Sequence, residues 1–273
     1  MNNFIKRTLT GCIFGLVIYG SLIAGRIGFV LVYSLLMVIA LLEFLSLDET
    51  GTTRVRKITA VVASLILFGL LHGYASGMFE SGWLSLLVLL PPLVLVSELY
   101  TGKGRPFKKV ATVFLGLVYV ALPLSLLNFL VYPAASVYQG YYPWLLAGVL
   151  ALIMVNDTAA YLFGVPFGRN RLFASVSPKK SWEGTIGGGA LTIAAAWLMG
   201  RLVPLPDASG WLYAGMIVIV FGIYGDLVES MIKRELGVKD SGTILPGHGG
   251  VLDRIDAWLL VVPAIYVYLI LIN

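Results

Sequence analysis

Apolar runs of about twenty residues recur along the whole chain, and this repetition constrains the fold more than any single residue does. A bilayer core offers no water to unpaired backbone groups, so a crossing segment must close its own hydrogen bonds, and for runs like these that means helices. Nine spans are expected, at residues 8–25, 27–47, 57–74, 83–99, 110–131, 143–164, 184–203, 211–232 and 255–272. The expected fold class is therefore all-α, a polytopic helical bundle in a membrane, with no hidden soluble domain. With 59% of residues hydrophobic and 12% charged, the chain lacks the polar sequence to clothe a water-soluble surface.

The distribution of Lys and Arg tests the count, because a missing or false span would scatter them over both faces. Of the 19 basic residues, all but Arg26 and Arg201 fall on one face. The connections HGYASGMFESG (72–82) and YPAASVYQGYY (132–142), on the other face, carry none. The amino terminus is thus predicted cytoplasmic and the carboxyl terminus external. A basic inner face accounts for the net charge of +5 and also suits anionic lipid. Nucleic acid is not an expected partner, since no basic, aromatic-interleaved soluble module exists to track a phosphate backbone. Cys12 alone excludes an internal disulfide. The LTGC run that it ends follows Arg7 too closely to leave room for a signal-peptide core, so the first run reads as a retained helix.

The chain reads as one transmembrane domain, 1–273, with spans one to five (1–142) as scaffold and spans six to nine (143–273) as the catalytic part. Glu43, His72 and Glu98 sit near span ends in the scaffold and read as structural. Pro91 and Pro92 should break or kink span four. In the catalytic part, two polar connections, 165–183 and 233–254, fall on the same face, as the parts of one active site must.

The segment Ser230 to Asp256, SMIKRELGVKDSGTILPGHGGVLDRID, is the local exception to the apolar sequence. Asp226, Glu229, Ser230, Lys233 and Arg234 recur at three- and four-residue spacings along one helix flank. A buried ion pair that fixes helix packing would explain Asp226 equally well. Asp253 and Asp256 add carboxylates where a glycine-rich loop returns the chain to the same surface. Oxygen ligands without a cysteine, beside a lone loop histidine, favour Mg²⁺ over zinc or a redox metal. Gly247, Gly249 and Gly250 would let backbone amides approach an anion, and a tight turn without ligand explains them as well. The other connection offers Arg169, Arg171, Lys179 and Lys180 with Trp182 and Glu183. Asn156 and Asp157 place polar groups inside span six, and Gly187, Gly188 and Gly189 read as helix packing.

These residues together closely resemble the phosphatidate cytidylyltransferase family, also called CDP-diacylglycerol synthases. The family signature is matched by Ser230, Lys233, Arg234, Lys239, Asp240, His248, Gly249, Gly250, Asp253, Arg254, Ile255 and Asp256. NDTAAYLFG from Asn156 and SPKKSWEG from Ser177 also look like family sequence, with Ser181 in place of a commoner threonine. The resemblance implies condensation of CTP with phosphatidate to CDP-diacylglycerol and pyrophosphate, dependent on Mg²⁺, at the cytoplasmic face of the inner membrane. By analogy it assigns Asp226 and Asp253 to metal, and Lys233, Arg234, Lys239 and Arg254 to phosphates. Lys179, Lys180 and Trp182 go to the nucleotide, and Asn156, Asp157, Ser230, Asp240, His248, Gly249, Gly250 and Asp256 to further substrate contacts. A CTP-using lipid kinase is the nearer rival, and a transporter the more distant one. Small residues in the spans permit a homodimer.

Overall fold

The computed structural model describes residues 3–47, 53–100, 106–133, 140–203, 209–245 and 249–272. Among these, nine helices stand where nine spans are expected: α1 Asn3–Ile23, α2 Arg26–Leu47, α3 Arg54–Ala75, α4 Ser81–Leu99, α5 Pro106–Val131, α6 Trp144–Phe167, α7 Trp182–Leu202, α8 Gly210–Glu235 and α9 Leu252–Ile272. Seven of them, all but α1 and α7, are long and apolar enough to cross a bilayer. The apolar stretch of α1 is short, Thr8–Ile23, and α7 is diluted by glycine. The protein is an all-α polytopic membrane protein. One small departure lies in the 165–183 connection, where β1 (Arg171–Phe173) and β2 (Ser177–Ser181) form an antiparallel hairpin.

The prolines act differently from a simple kink. α4 opens as a tight 3₁₀ helix over Ser81–Leu89, and α-helix begins at Leu90 with proline at its first positions. A proline there forfeits no hydrogen bond, because the first amides of a helix have no partner inside it. In α5 the turn Leu117–Ala121 widens to π geometry just ahead of Pro123, whose missing N–H cannot continue the ordinary ladder.

The chain divides into two compact units, Met1–Ala134 with Asp240–Ile255, and Ala135–Lys239 with Asp256–Asn273. In the first unit, Phe29, Tyr33, Met37, Leu41 and Leu45 follow one another at four-residue intervals on α2 and are fully buried. In hydrocarbon, apolar side chains gain little by leaving lipid, so close packing and polar contacts must hold the helices. Both are present. Gly116 lets α5 approach α2, since a Cβ there would lie 2.9 Å from Leu41 Cδ1. Arg56 of α3 grips buried Glu98 of α4 with two nitrogens, Nε at 2.6 Å from Oε2 and Nη2 on Oε1. His72 Nδ1 lies 2.8 Å from Asn128 Oδ1.

The second unit is knit by glycine. A Cβ on Gly184 would fall 2.7 Å from the Ala160 carbonyl, and one on Gly188 would fall 3.0 Å from Ala160 Cβ, so α7 lies almost backbone to backbone on α6. Gly225 does the same for α8 and α9, where a Cβ would meet the Asp256 carbonyl at 2.7 Å and Ala257 Cα at 2.8 Å. At Gly189 the neighbour, Ile219, stands at an ordinary 3.5 Å.

Gly225→Ala should therefore lower thermal stability in detergent, because overpacking typically costs about 1–3 kcal/mol and outweighs a helix-propensity gain of at most about 1 kcal/mol. Gly189→Ala should hold or raise it. Equal behaviour of the two variants in a melting experiment would contradict the close approach at Gly225.

Candidate active site

On α8, Asp226, Glu229, Ser230 and Lys233 do share a flank, as their spacing requires. Ser230 Oγ donates to Asp226 Oδ1 at 3.3 Å, and Lys233 Nζ lies 2.7 Å from Glu229 Oε2. The close crossing at Gly225 brings Asp256 of α9 to the same place. One oxygen from each of Asp226, Glu229 and Asp256 lies within 4.8 Å of the others, with Glu229 buried and the two aspartates half-buried. Asp157 of α6 is within electrostatic range of Asp256.

Cations reach this cluster from two elements. Lys180, near the end of β2, places Nζ 2.5 Å from Asp226 Oδ2 and 3.4 Å from the Ile223 carbonyl. Lys233 comes from the next turn of α8. Three carboxylates against two ammonium groups leave a negative surplus when all are ionised. The donor set is hard oxygen alone, which suits a divalent cation of the Mg²⁺ or Ca²⁺ kind. The residues present thus fit a metal, with Asp226, Glu229 and Asp256 as its holders.

The hairpin that delivers Lys180 is itself anchored. Glu183, in the first turn of α7, accepts hydrogen bonds from the backbone N–H of Arg169 at 3.1 Å and of Asn170 at 3.2 Å, and from Asn170 Nδ2 at 2.8 Å. Its own backbone N–H first, and then these donors, hold its carboxyl below the usual carboxylate range. Ser181 Oγ accepts from the Gly184 N–H at 3.2 Å and so caps α7, a task that needs only the hydroxyl it shares with threonine.

The remaining residues singled out in the sequence fall as follows. Lys179, Trp182, Arg234, Lys239, Asp240 and Arg254 are exposed. Asn156 is buried, and its Oδ1 accepts from Thr192 Oγ1 at 3.3 Å, tying α6 to α7. Asp253, expected beside Asp226 as a metal ligand, belongs to the first unit. There its oxygens accept the N–H of Ser241, at 2.9 Å from Oδ2, and of Gly250, at 2.8 Å. The Gly250 amide, expected to face a phosphate, is thus engaged by Asp253. Gly249 has φ +86°, and a Cβ there would lie 2.5 Å from Asp253 Oδ2, two independent reasons for glycine. His248 and Gly247 lie outside the described residues. Glu229 was legible only as part of the helix flank, and its i, i+4 spacing from Lys233 is the signal that could have raised it to a site residue. Glu183 offered no comparable signal, because its partners are backbone amides.

Carboxylates and lysines gathered near the ends of membrane helices form a polar cluster of the kind that suits a membrane enzyme. The sequence model of the cytidylyltransferase family matches residues 5–272. A phosphatidate cytidylyltransferase of Staphylococcus aureus (strain COL) is 32% identical over 266 residues, 97% of this chain and 98% of the relative. Proteins of the same name are 29% identical in Bacillus subtilis (strain 168), covering 98% of each chain, and 31% identical in Brucella suis biovar 1 (strain 1330), covering 98% of this chain and 94% of the relative. The chain belongs to the cytidylyltransferase family and is a nucleotidyltransferase.

A divalent cation held by Asp226 would have to compete with Lys180 for its carboxylate. Lys180→Met should therefore tighten Mn²⁺ binding about two- to fivefold, the range set by a partly exposed ion pair. Electron paramagnetic resonance of free Mn²⁺ reads the affinity directly, and weaker binding in the variant would exclude Lys180 as the resident countercharge.

Proposed function

We propose that the protein condenses CTP with phosphatidate to give CDP-diacylglycerol and pyrophosphate. The observation that carries this reading is the Asp226, Glu229 and Asp256 cluster with its two lysines, in a chain similar along 97% of its length to a phosphatidate cytidylyltransferase.

The chemistry asks little of a general base. A phosphomonoester has a second pKa of about 6, so the lipid phosphate already carries a free anionic oxygen at neutral pH. That oxygen forms a new bond to the α-phosphorus of CTP. The bond from the α-phosphorus to the bridging oxygen breaks, and its electron pair leaves with pyrophosphate. The barrier is mainly the approach of two anions and the charge growing on the leaving group, which preorganised positive charge relieves. When bound, the divalent cation, Mg²⁺ on this reading, neutralises phosphate oxygens and orients them. Asp226, Glu229 and Asp256 hold it. For Asp253 the metal role rests on the signature alone.

Lys233, Arg234, Lys239 and Arg254 bind phosphates on this reading, and Lys179, Lys180 and Trp182 bind the nucleotide, Lys180 by exchanging Asp226 for an anion. Asn156 supports the nucleotide pocket through α6 and α7, whereas Asp157, Ser230, Asp240, His248 and Gly249 contact substrate. A lipid substrate keeps its acyl chains in hydrocarbon and offers its phosphate to the cytoplasmic face of the inner membrane, where the basic residues collect. Anionic lipid is the natural surrounding partner, no step needs nucleic acid, and a homodimer through small-residue helix faces is compatible with the chemistry. The chain acts as one transmembrane domain, in keeping with a family match from residue 5 to residue 272.

Incubated with phosphatidate liposomes, Mg²⁺ and CTP labelled at the α-phosphate, the purified protein should move label into lipid, and a chelator should stop it. Label reaching lipid from the γ-phosphate would mark a kinase, and none from either position would sink the reading. Asp226→Asn should lose more than about a hundredfold in rate, as expected for an electrostatic group at the reacting phosphates, while the protein still inserts and melts normally. Near-normal turnover would remove Asp226 from the metal.

A further inference from the structure

Glu43 is a buried carboxylate on α2 that the chemistry above leaves unused. It is 6% exposed, and among the described residues no ion pair reaches it. A carboxylate in such a place is costly unless hydrogen bonds compensate it. Here they do, and all come from one segment. The N–H of Val251 donates to Oε1 at 3.0 Å, the N–H of Leu252 donates to Oε2 at 2.8 Å, and Ser241 Oγ lies 3.5 Å from Oε2. Val251 immediately precedes α9 and Leu252 opens it, where the first amides have no partner within the helix and the helix dipole is positive. Glu43 thus serves as an N-terminal cap supplied from a residue 208 positions away.

The segment is shaped around this carboxylate. A Cβ at Gly242 would lie 2.6 Å from Glu43 Oε1, and one at Gly250 would lie 2.6 Å from Oε2 and collide with Ser241 Oγ. Both glycines leave room for Glu43 itself. Asp253 grips the same segment from within, through the N–H of Ser241 and Gly250. Three successive amides, of Gly250, Val251 and Leu252, are therefore spent on two carboxylates.

We propose that Glu43 is a positioning residue for nucleotidyl transfer: it fixes the backbone on which Asp240, Asp253 and Arg254 are mounted. The inference rests on the functional reading given above, but its main test does not need substrate. Glu43→Gln keeps the shape, yet it turns an amide NH₂ toward a backbone donor and leaves that donor unpaired. Hydrogen exchange at Val251 and Leu252 should then speed up by about tenfold or more, the factor expected when a buried donor loses its acceptor. Exchange in the core of α2 and α5 should stay as in the parent protein. In the labelled-CTP assay, half-saturating CTP should rise by a similar factor, about tenfold. A mere loss of folded protein would lower the rate and leave that concentration unchanged. Gly242→Ala, which presses on Glu43 from the loop side, should reproduce the exchange signature, and it decides the matter if the glutamine variant does not accumulate. Unchanged exchange at Val251 and Leu252 in the variant that accumulates would overturn the proposal. A parent protein that transfers no label would instead count against the functional reading and leave the exchange result standing.

Discussion

Three carboxylates whose oxygens share a 4.8 Å neighbourhood repel one another, and much of the second unit serves to hold that repulsion in place. At intermediate effective dielectric, two like charges about 4 Å apart oppose each other by several kcal/mol, comparable with the whole margin of about 5–15 kcal/mol by which a domain stays folded. Left alone, α8 and α9 would separate or the acids would take up protons. Lys180 and Lys233 supply part of the compensation, and the close crossing at Gly225 denies the helices an easy retreat. What the lysines do not neutralise is attraction for a further cation.

Glycine does in this unit what hydrophobic burial does in a soluble core. Apolar side chains lose no water on packing inside a bilayer, so helices adhere where their backbones can come close enough for dispersion and weak polar contacts to add up. Gly184 and Gly188 bring α7 against Ala160 of α6. That contact has a chemical consequence at the other end of the connection. The start of α7 is fixed by Ser181 and Glu183, Glu183 in turn fixes Arg169 and Asn170, and the intervening hairpin carries Lys180 to Asp226. The position of an ammonium group in the cluster is therefore traceable to two residues without side chains.

The nine helices were legible because bilayer thickness sets a length that a run of apolar residues either meets or fails, although only seven of them are long and apolar enough to cross. Pro91 and Pro92 were read as a break, but their position did not reveal that 3₁₀ geometry would precede them and α-helix would start on them. The hairpin at 171–181 was illegible, since SPKKS has no alternation of apolar and polar residues to mark a strand. Asp226 stood out because it interrupts an apolar run. Glu229 did not, because beside Lys233 it reads as an ordinary i, i+4 pair on a helix surface. The partners of Glu43 were beyond any spacing rule. A contact with residues 208 and 209 positions away, made to backbone atoms that every residue possesses, leaves no pattern in side-chain chemistry.

The acids of this chain sort by what holds them. Glu43, Asp253 and Glu183 are each held chiefly by backbone N–H groups, whereas Asp226 and Glu229 are held by lysine. An amide is fixed by the fold and cannot withdraw, so a carboxylate that it holds is a piece of geometry, with its charge met by dipoles that are always present. An ammonium group on a four-carbon stem is a point charge that can swing away when a stronger anion or cation arrives. Amide-held acids therefore suit the shaping of a backbone, and lysine-held acids suit exchange of partners during a reaction. Asp253 would combine the two characters only if it also reached a cation. Asp226 needs no such condition, because its resident partner is one that a substrate phosphate can draw off.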